Sequence, residues 1–249
     1  MIKLTVIGCY GAYPDPGGAS SGYLLESAET KVLLDCGSGV LSRLQLTMDL
    51  SELDGVVFSH YHTDHCADLG CLQYAVMIDT LLGKRNKPLM VWGPGETERL
   101  TYGTWCNGQS YLEVPSFEIG ALRFSTQENI HEIQSFSLRA TDTAGNSLVY
   151  SGDTGYYETL ADFAAGADCF LCEASFYEGT DTAGKLHLTA DQAALLAQKA
   201  AVRRLILTHL PHFGDPFQLR EQALRHFDRE VFLAQKGLEI VLSDPSENL

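Results

Sequence analysis

The chain has 249 residues with 45% hydrophobic content, enough for a sizeable core, and no apolar run approaches the ~18 residues of a membrane-spanning helix. Its formal net charge of −15 disfavours a long polyanionic partner such as nucleic acid, which is gripped by basic patches; the basic groups at 84–87 and 203–204 read as solvated connections. The start Met1-Ile2-Lys3-Leu4-Thr5-Val6-Ile7 lacks the features of an export signal, and the 7 Cys are irregularly spaced, so a cytoplasmic protein with reduced thiols is expected.

Strands are predicted over 4–8, 22–27 and 31–35, then a helix over 37–48 with Val40, Leu41, Leu44 and Leu46 apolar, then a strand over 56–59. This last apolar run ends in Ser59-His60-Tyr61-His62-Thr63-Asp64-His65, which holds three of the 8 histidines. His60 and His62 lie two apart, so in extended backbone they face the same way. Asp64 and His65 are adjacent and diverge, which suits a second metal rather than a fourth ligand on the first. Imidazole and carboxylate are common ligands of zinc and its borderline neighbours. Tyr61 and Thr63, between the ligands, are expected to line the mouth.

A helix follows over 66–82, a strand over 89–92, a helix over 96–106, and strands over 111–114, 122–128, 133–140 and 147–151. Thr143-Ala144-Gly145-Asn146 reads as the hairpin turn between the last two. The remainder reads helix 157–164, strand 169–173, helix 189–201, strand 205–208, helix 217–227, and strands near 231–233 and 238–242. Cys169 and Cys172 form a C-x-x-C inside a strand, where positions i and i+3 face opposite sides, so they read as core cysteines. Each half supplies several strands and then helix–strand alternation, the pattern of two mixed β-sheets face to face with helices outside. No Pro/Gly-rich seam divides the chain, so a single domain is expected over 1–249, with 244–249 a polar tail.

Other histidines and acids also follow predicted strands: His131 after the run 122–130, Asp153 in Ser151-Gly152-Asp153-Thr154, and His209 after 205–208. Strand ends on one edge of a sandwich converge, so these join the 60–65 cluster as candidates. The ordered set resembles the metallo-β-lactamase superfamily over nearly the whole chain: H-x-H-x-D-H at 60–65, His131, S-G-D-T at 151–154, T-H-L at 208–210, and Asp35-Cys36-Gly37 after an early strand. The resemblance implies an α/β fold, a four-layered αββα sandwich of two mixed β-sheets, with a binuclear site. It implies that His60, His62 and His131 hold one divalent metal and Asp64, His65 and His209 a second. Asp153 and a hydroxide would bridge the two, and Asp64 would also act catalytically by orienting that hydroxide. Zinc is the default for so His-rich a set, with manganese the alternative.

Gly184-Lys185-Leu186-His187-Leu188-Thr189 and Cys172-Glu173-Ala174-Ser175-Phe176 are similar to segments of ribonuclease Z and its short relatives. By that resemblance His187 is a catalytic histidine outside the metal set, which stabilises phosphoryl charge and protonates the leaving oxygen, with Glu173 orienting it. The bland alternative is an exposed residue beside a helix cap at Thr189. Asp35 is expected to support the ligand histidines, His212 either to contact substrate phosphate or to be exposed, and His226 to be structural. The basic arm with which ribonuclease Z grips transfer RNA has no counterpart: 21 residues separate His131 from Asp153 and 33 separate Asp153 from His187, without a basic run. The expected function is therefore phosphodiesterase action on small or short phosphodiesters. A lactonase or thioesterase on the same site, or a transfer-RNA 3′ processing endoribonuclease, are the alternatives. Superfamily analogy adds a homodimer as an expectation, and the lack of a long apolar run adds that no membrane partner is expected.

Overall fold

The computed structural model describes residues 1–182, 184 and 186–242, so the expected tail at 244–249 lies outside the described residues. In the first half, β1 (Ile2–Gly8), β2 (Gly22–Ser27) and β3 (Thr30–Leu34) lead into α1 (Val40–Leu44), β4 (Gly55–Val57), α2 (Thr63–Cys66) and α3 (Leu69–Leu81). Then come β5 (Leu89–Gly93), α4 (Thr97–Leu100) and β6 (Cys106–Ser110). The second half holds β7 (Phe117–Ile119), β8 (Leu122–Glu128), β9 (Phe136–Asp142), β10 (Ser147–Tyr150), α5 (Thr159–Phe163) and β11 (Cys169–Glu173). It closes with α6 (Ala190–Lys199), β12 (Arg204–Thr208), α7 (Pro216–Ala223), β13 (Glu230–Leu233) and β14 (Glu239–Leu242).

The strands form two 7-stranded mixed sheets, β14-β1-β2-β3-β4-β5-β6 and β13-β12-β11-β10-β9-β8-β7. In the first, antiparallel pairings run from β14 to β3 and parallel ones from β3 to β6. In the second, antiparallel pairings run from β7 to β10 and parallel ones from β10 to β13. Parallel neighbours need a crossover, and the helices supply it. The period of two then sorts the side chains. Leu24, Leu33, Val56 and Val91 point outward and pack with Val40, Leu44, Leu72 and Val76 of α1 and α3. Tyr23, Leu25, Val32, Leu34 and Val57 point inward and share a core with Leu138 and Tyr150 of the other sheet, which continues to α5, α6 and α7. The layers stack helix, sheet, sheet, helix.

Cys169 and Cys172 are buried in β11 as expected, and all seven cysteines are free. Burial pushes the Cys169 thiol up to about 12, which makes it unreactive. No helix among the described residues is long and apolar enough to cross a membrane.

Several predicted elements are corrected. The helix expected over 66–82 breaks at Ala67-Asp68, because Asp68 N–H bonds Cys36 O and its carboxylate accepts Leu41 N–H. The helix over 37–48 shrinks to α1, because Gly39 at φ +82° holds the chain out of the helix until Val40. The helix over 96–106 is only α4, and the strand expected over 111–114 lies instead at Cys106–Ser110, paired on the open edge of β5. Its sequence Cys-Asn-Gly-Gln-Ser carries no apolar alternation, so pairing is set by the waiting edge rather than by local propensity.

Candidate metal centre

The local backbone explains how one short segment spreads four donors. His60 and His62 sit in the extended stretch after β4, and α2 starts at the next residue, so Asp64 and His65 turn away on its first turn. Beneath them lies Asp35, fully buried and held at φ +54°. Its Oδ1 accepts Ser59 N–H at 2.7 Å; its Oδ2 accepts the Ser59 and Tyr150 hydroxyls at 2.8 Å and His65 Nδ1–H at 2.7 Å. His65 must therefore present Nε2, which lies 3.3 Å from Asp153 Oδ1.

The other histidines are fixed the same way. Since the Ser59 hydroxyl donates to Asp35, His60 Nδ1–H donates to Ser59 Oγ at 3.0 Å and leaves Nε2 facing the site. His131 Nδ1–H donates to Leu186 O at 3.0 Å. His62 uses the opposite nitrogen: its Nε2–H donates to Glu132 Oε1 at 3.1 Å, and Nδ1 lies 3.1 Å from both His60 Nε2 and His131 Nε2. Two nitrogens at ~2.05 Å from a tetrahedral ion are about 3.3 Å apart, so this spacing matches a shared ligand sphere.

On the opposite side, His209 Nε2 lies 3.1 Å from Asp64 Oδ2 and 3.2 Å from Asp153 Oδ2. His209 Nδ1–H donates to Ser175 Oγ at 2.8 Å, and Ala12 N–H donates to Asp64 Oδ2 at 2.7 Å. The donor atoms of His60, His62, His131 and Asp153 all lie within 4.8 Å of one another, as do those of Asp64, His65, Asp153 and His209. Asp153 belongs to both groups.

Charge follows geometry. Burial, and then the neighbouring His65, hold the His60 imidazole well below its ordinary value. Burial opposes ionisation of Asp153, yet His209 and His65 hold its carboxyl well below the usual range. Burial likewise opposes charge on His65, but Asp153 and Asp35 raise it well above. Even so, His65 Nε2 and Asp153 Oδ1 are buried without a hydrogen-bond partner. Such orphaned atoms are costly and call for an occupant. A donor set of imidazole nitrogens and carboxylates, each imidazole's second nitrogen already engaged, can hold divalent metal.

His187 stands beside this set. Its Nδ1 lies 3.0 and 3.2 Å from the two Glu173 oxygens and 4.0 Å from Asp153 Oδ2. Burial pulls this imidazole down, but the charge and hydrogen bond of Glu173 outweigh it and raise it to about 9. Glu173 is itself fixed by Thr154 N–H at 2.7 Å and the Ser175 hydroxyl at 2.8 Å. The cap of α6 is a separate matter, closed by Thr189 and Gln192.

Other expected residues fall elsewhere. Tyr61 does not line the mouth: it packs into the outer apolar cluster, and its hydroxyl donates to Gly95 O at 3.0 Å. Thr63 is exposed. His212 is exposed, donates Nε2–H to Tyr13 O at 2.7 Å and stacks on that ring. His226 pairs with Glu178 at 3.3 Å, apart from the site. Sequence reading missed Ser59, Glu132 and Ser175, whose only signal is that they neighbour the motifs.

Comparison with known proteins follows the same lines. The family described as "Beta-lactamase superfamily domain" matches residues 30–210. The probable metallo-hydrolase YhfI of Bacillus subtilis is 37% identical over 240 residues, which cover 95% of this chain and 98% of that protein. The crystal structure of YhfI, a metallo-beta-lactamase fold protein, matches with a TM-score of 0.93 at 36% identity, covering 96% of this chain and 98% of that one. Ribonuclease Z of Methanopyrus kandleri is 28% identical over 282 residues, covering 96% and 97% of the two chains. The short form of human tRNase Z shares the fold, with a TM-score of 0.76 at 21% identity over 97% of this chain and 100% of that one.

Proposed function

Since the chain belongs to the metallo-β-lactamase superfamily, we propose that it is a binuclear metal-dependent hydrolase that cleaves small or short phosphodiesters. His60, His62 and His131 would hold one ion, Asp64, His65 and His209 the other, and Asp153 both. When bound, a pair of divalent cations (zinc from the donor set, manganese as the alternative) supplies Lewis acidity and lowers the pKa of water from ~15.7 towards ~7. Asp64, its Oδ2 already oriented by Ala12 N–H, positions the attacking water.

The observation that carries the phosphodiester reading is His187. Attack on a carbonyl builds one oxyanion, which a metal ion can meet, whereas a phosphodiester spreads charge over its non-bridging oxygens as well as the leaving oxygen and so gives work to a donor outside the metal set. Glu173 holds the His187 imidazole protonated through Nδ1, 3.0 Å away, so that the opposite nitrogen, Nε2, carries a proton for a phosphoryl or leaving oxygen. The size of the substrate is argued from charge and length. The net charge is −15, and the alignment with the archaeal ribonuclease Z extends over 282 positions against 249 residues here, so that relative carries segments this chain lacks. Both weigh against transfer RNA as the substrate.

The test is steady-state hydrolysis of bis-p-nitrophenyl phosphate beside lactones and thioesters, at measured metal content, with wild type, Asp64→Ala and His187→Ala. The diester should be turned over best, with His187→Ala losing about 10²–10⁴-fold. Preference for a lactone or thioester, with His187→Ala near wild type, would replace this reading by a carbonyl hydrolase.

A further inference from the structure

The loop after β1 carries Tyr13 on a strained turn, one residue after Ala12, whose N–H contacts Asp64 of the site. Tyr13 N–H donates to Gly11 O at 2.8 Å across Ala12, whose φ is +62°. A three-residue turn of this hand is rare for an L-residue and persists only where its surroundings enforce it. Here the site enforces it: Ala12 N–H is the donor to Asp64 Oδ2, and Gly11 N–H donates to Leu210 O at 3.1 Å, next to His209.

Tyr13 is thereby placed at the end of a stack of three rings. His212 lies on Tyr13 with centroids 3.7 Å apart and planes 7° from parallel, and on Tyr10 at 5.0 Å and 18°. The hydrogen bond from His212 Nε2 to Tyr13 O locks the middle ring. Tyr13, outermost, remains 58% exposed although one face is covered. The result is a rigid aromatic surface one residue from an Ala12–Asp64 contact inside the candidate centre.

The geometry points to this stack as the resting place of a nucleobase, so that the substrates are phosphodiesters carrying a nucleoside, with the base on Tyr13 while the phosphate reaches the donor set. This rests on the phosphodiesterase reading. In a chain of net charge −15, neutral contacts have to supply affinity that a basic groove would otherwise give. Base–aromatic stacking does so for any base, and its loss weakens binding about 5–150-fold.

The test is calorimetric binding of adenosine 5′-monophosphate and ribose 5-phosphate to zinc-loaded wild type, Tyr13→Phe and Tyr13→Leu. The base-bearing ligand should bind about 5–150-fold tighter in wild type and Tyr13→Phe, an advantage lost in Tyr13→Leu while ribose 5-phosphate is unaffected. Equal affinity for the two ligands in wild type, or an advantage that survives Tyr13→Leu, overturns the platform. A base preference in a protein that turns over a lactone or thioester better than any phosphodiester, with His187→Ala near wild type, upholds the platform and refutes the phosphodiesterase reading instead.

Discussion

Replacing Asp35 with Asn keeps the side-chain volume but removes the charge and one acceptor oxygen. The wild-type carboxylate accepts four hydrogen bonds, one on Oδ1 and three on Oδ2. The less costly amide orientation puts the carbonyl at the Oδ2 position and turns NH₂ against Ser59 N–H. That orphans one buried donor at about 1–3 kcal/mol, and each of the other three bonds loses about 1 kcal/mol on meeting a neutral acceptor. The total is about 4–6 kcal/mol. At ~2–4 °C per kcal/mol for a chain of this size, Tm should fall by roughly 8–24 °C. His65 also loses the partner that fixes its ring, so metal affinity should drop about 10–100-fold. Thermal unfolding of metal-stripped protein by circular dichroism reads the first effect, and zinc competition against a chelator reads the second. A Tm within about 2 °C of wild type, together with zinc affinity within about twofold, would refute the view that Asp35 organises the centre.

Glu132→Ala frees His62 Nε2 from its 3.1 Å partner, whose side chain is 66% exposed. Zinc affinity should fall about 10–100-fold with little change in metal-free Tm, and unchanged affinity in a chelator competition would dismiss the role. Gly11→Ala would set a Cβ 2.5 Å from the His209 ring, whereas Gly70→Ala on the exposed side of α3 meets nothing within 4 Å. The first should lose bound metal by atomic absorption and the second gain about 0.5–1 kcal/mol; full metal content in Gly11→Ala would contradict the packing. In metal-free protein, the raised His187 value means that its pairing with Glu173 stabilises fully below about pH 6.5 and fades as pH rises through about 9. Glu173→Gln should therefore lower Tm more at about pH 6 than at about pH 10, and equal losses at both would rule the pairing out.

What the sequence made legible is what local pattern encodes. The apolar run ending at Phe58 marks a strand, which by itself sets the histidines after it at a strand end. The capping pair Thr189 and Gln192 likewise announces α6. What stayed hidden depends on partners distant in the chain. The polar strand Cys106–Ser110 is a strand only because β5 offers an edge. The break at Asp68 exists because Cys36 and Leu41 compete for its groups. Ser59, Glu132 and Ser175 are ordinary polar residues whose meaning lies in which histidine nitrogen they occupy. The φ of Ala12 is likewise imposed from outside its own segment.

Strand β1 lies between β2 and β14, so the first sheet lacks a neighbour on one side until Glu239–Leu242 is made, although its other six strands are complete by Ser110. During synthesis β1 therefore waits for its last partner, with backbone groups open to pairing with another chain. Lys3 stands on that edge, its ammonium bound to Glu26 at 3.3 Å and, once β14 arrives, to Glu239 at 2.8 Å. A charged side chain on an open edge disfavours pairing with a foreign strand in general, and here it also pairs with the strand that closes the sheet.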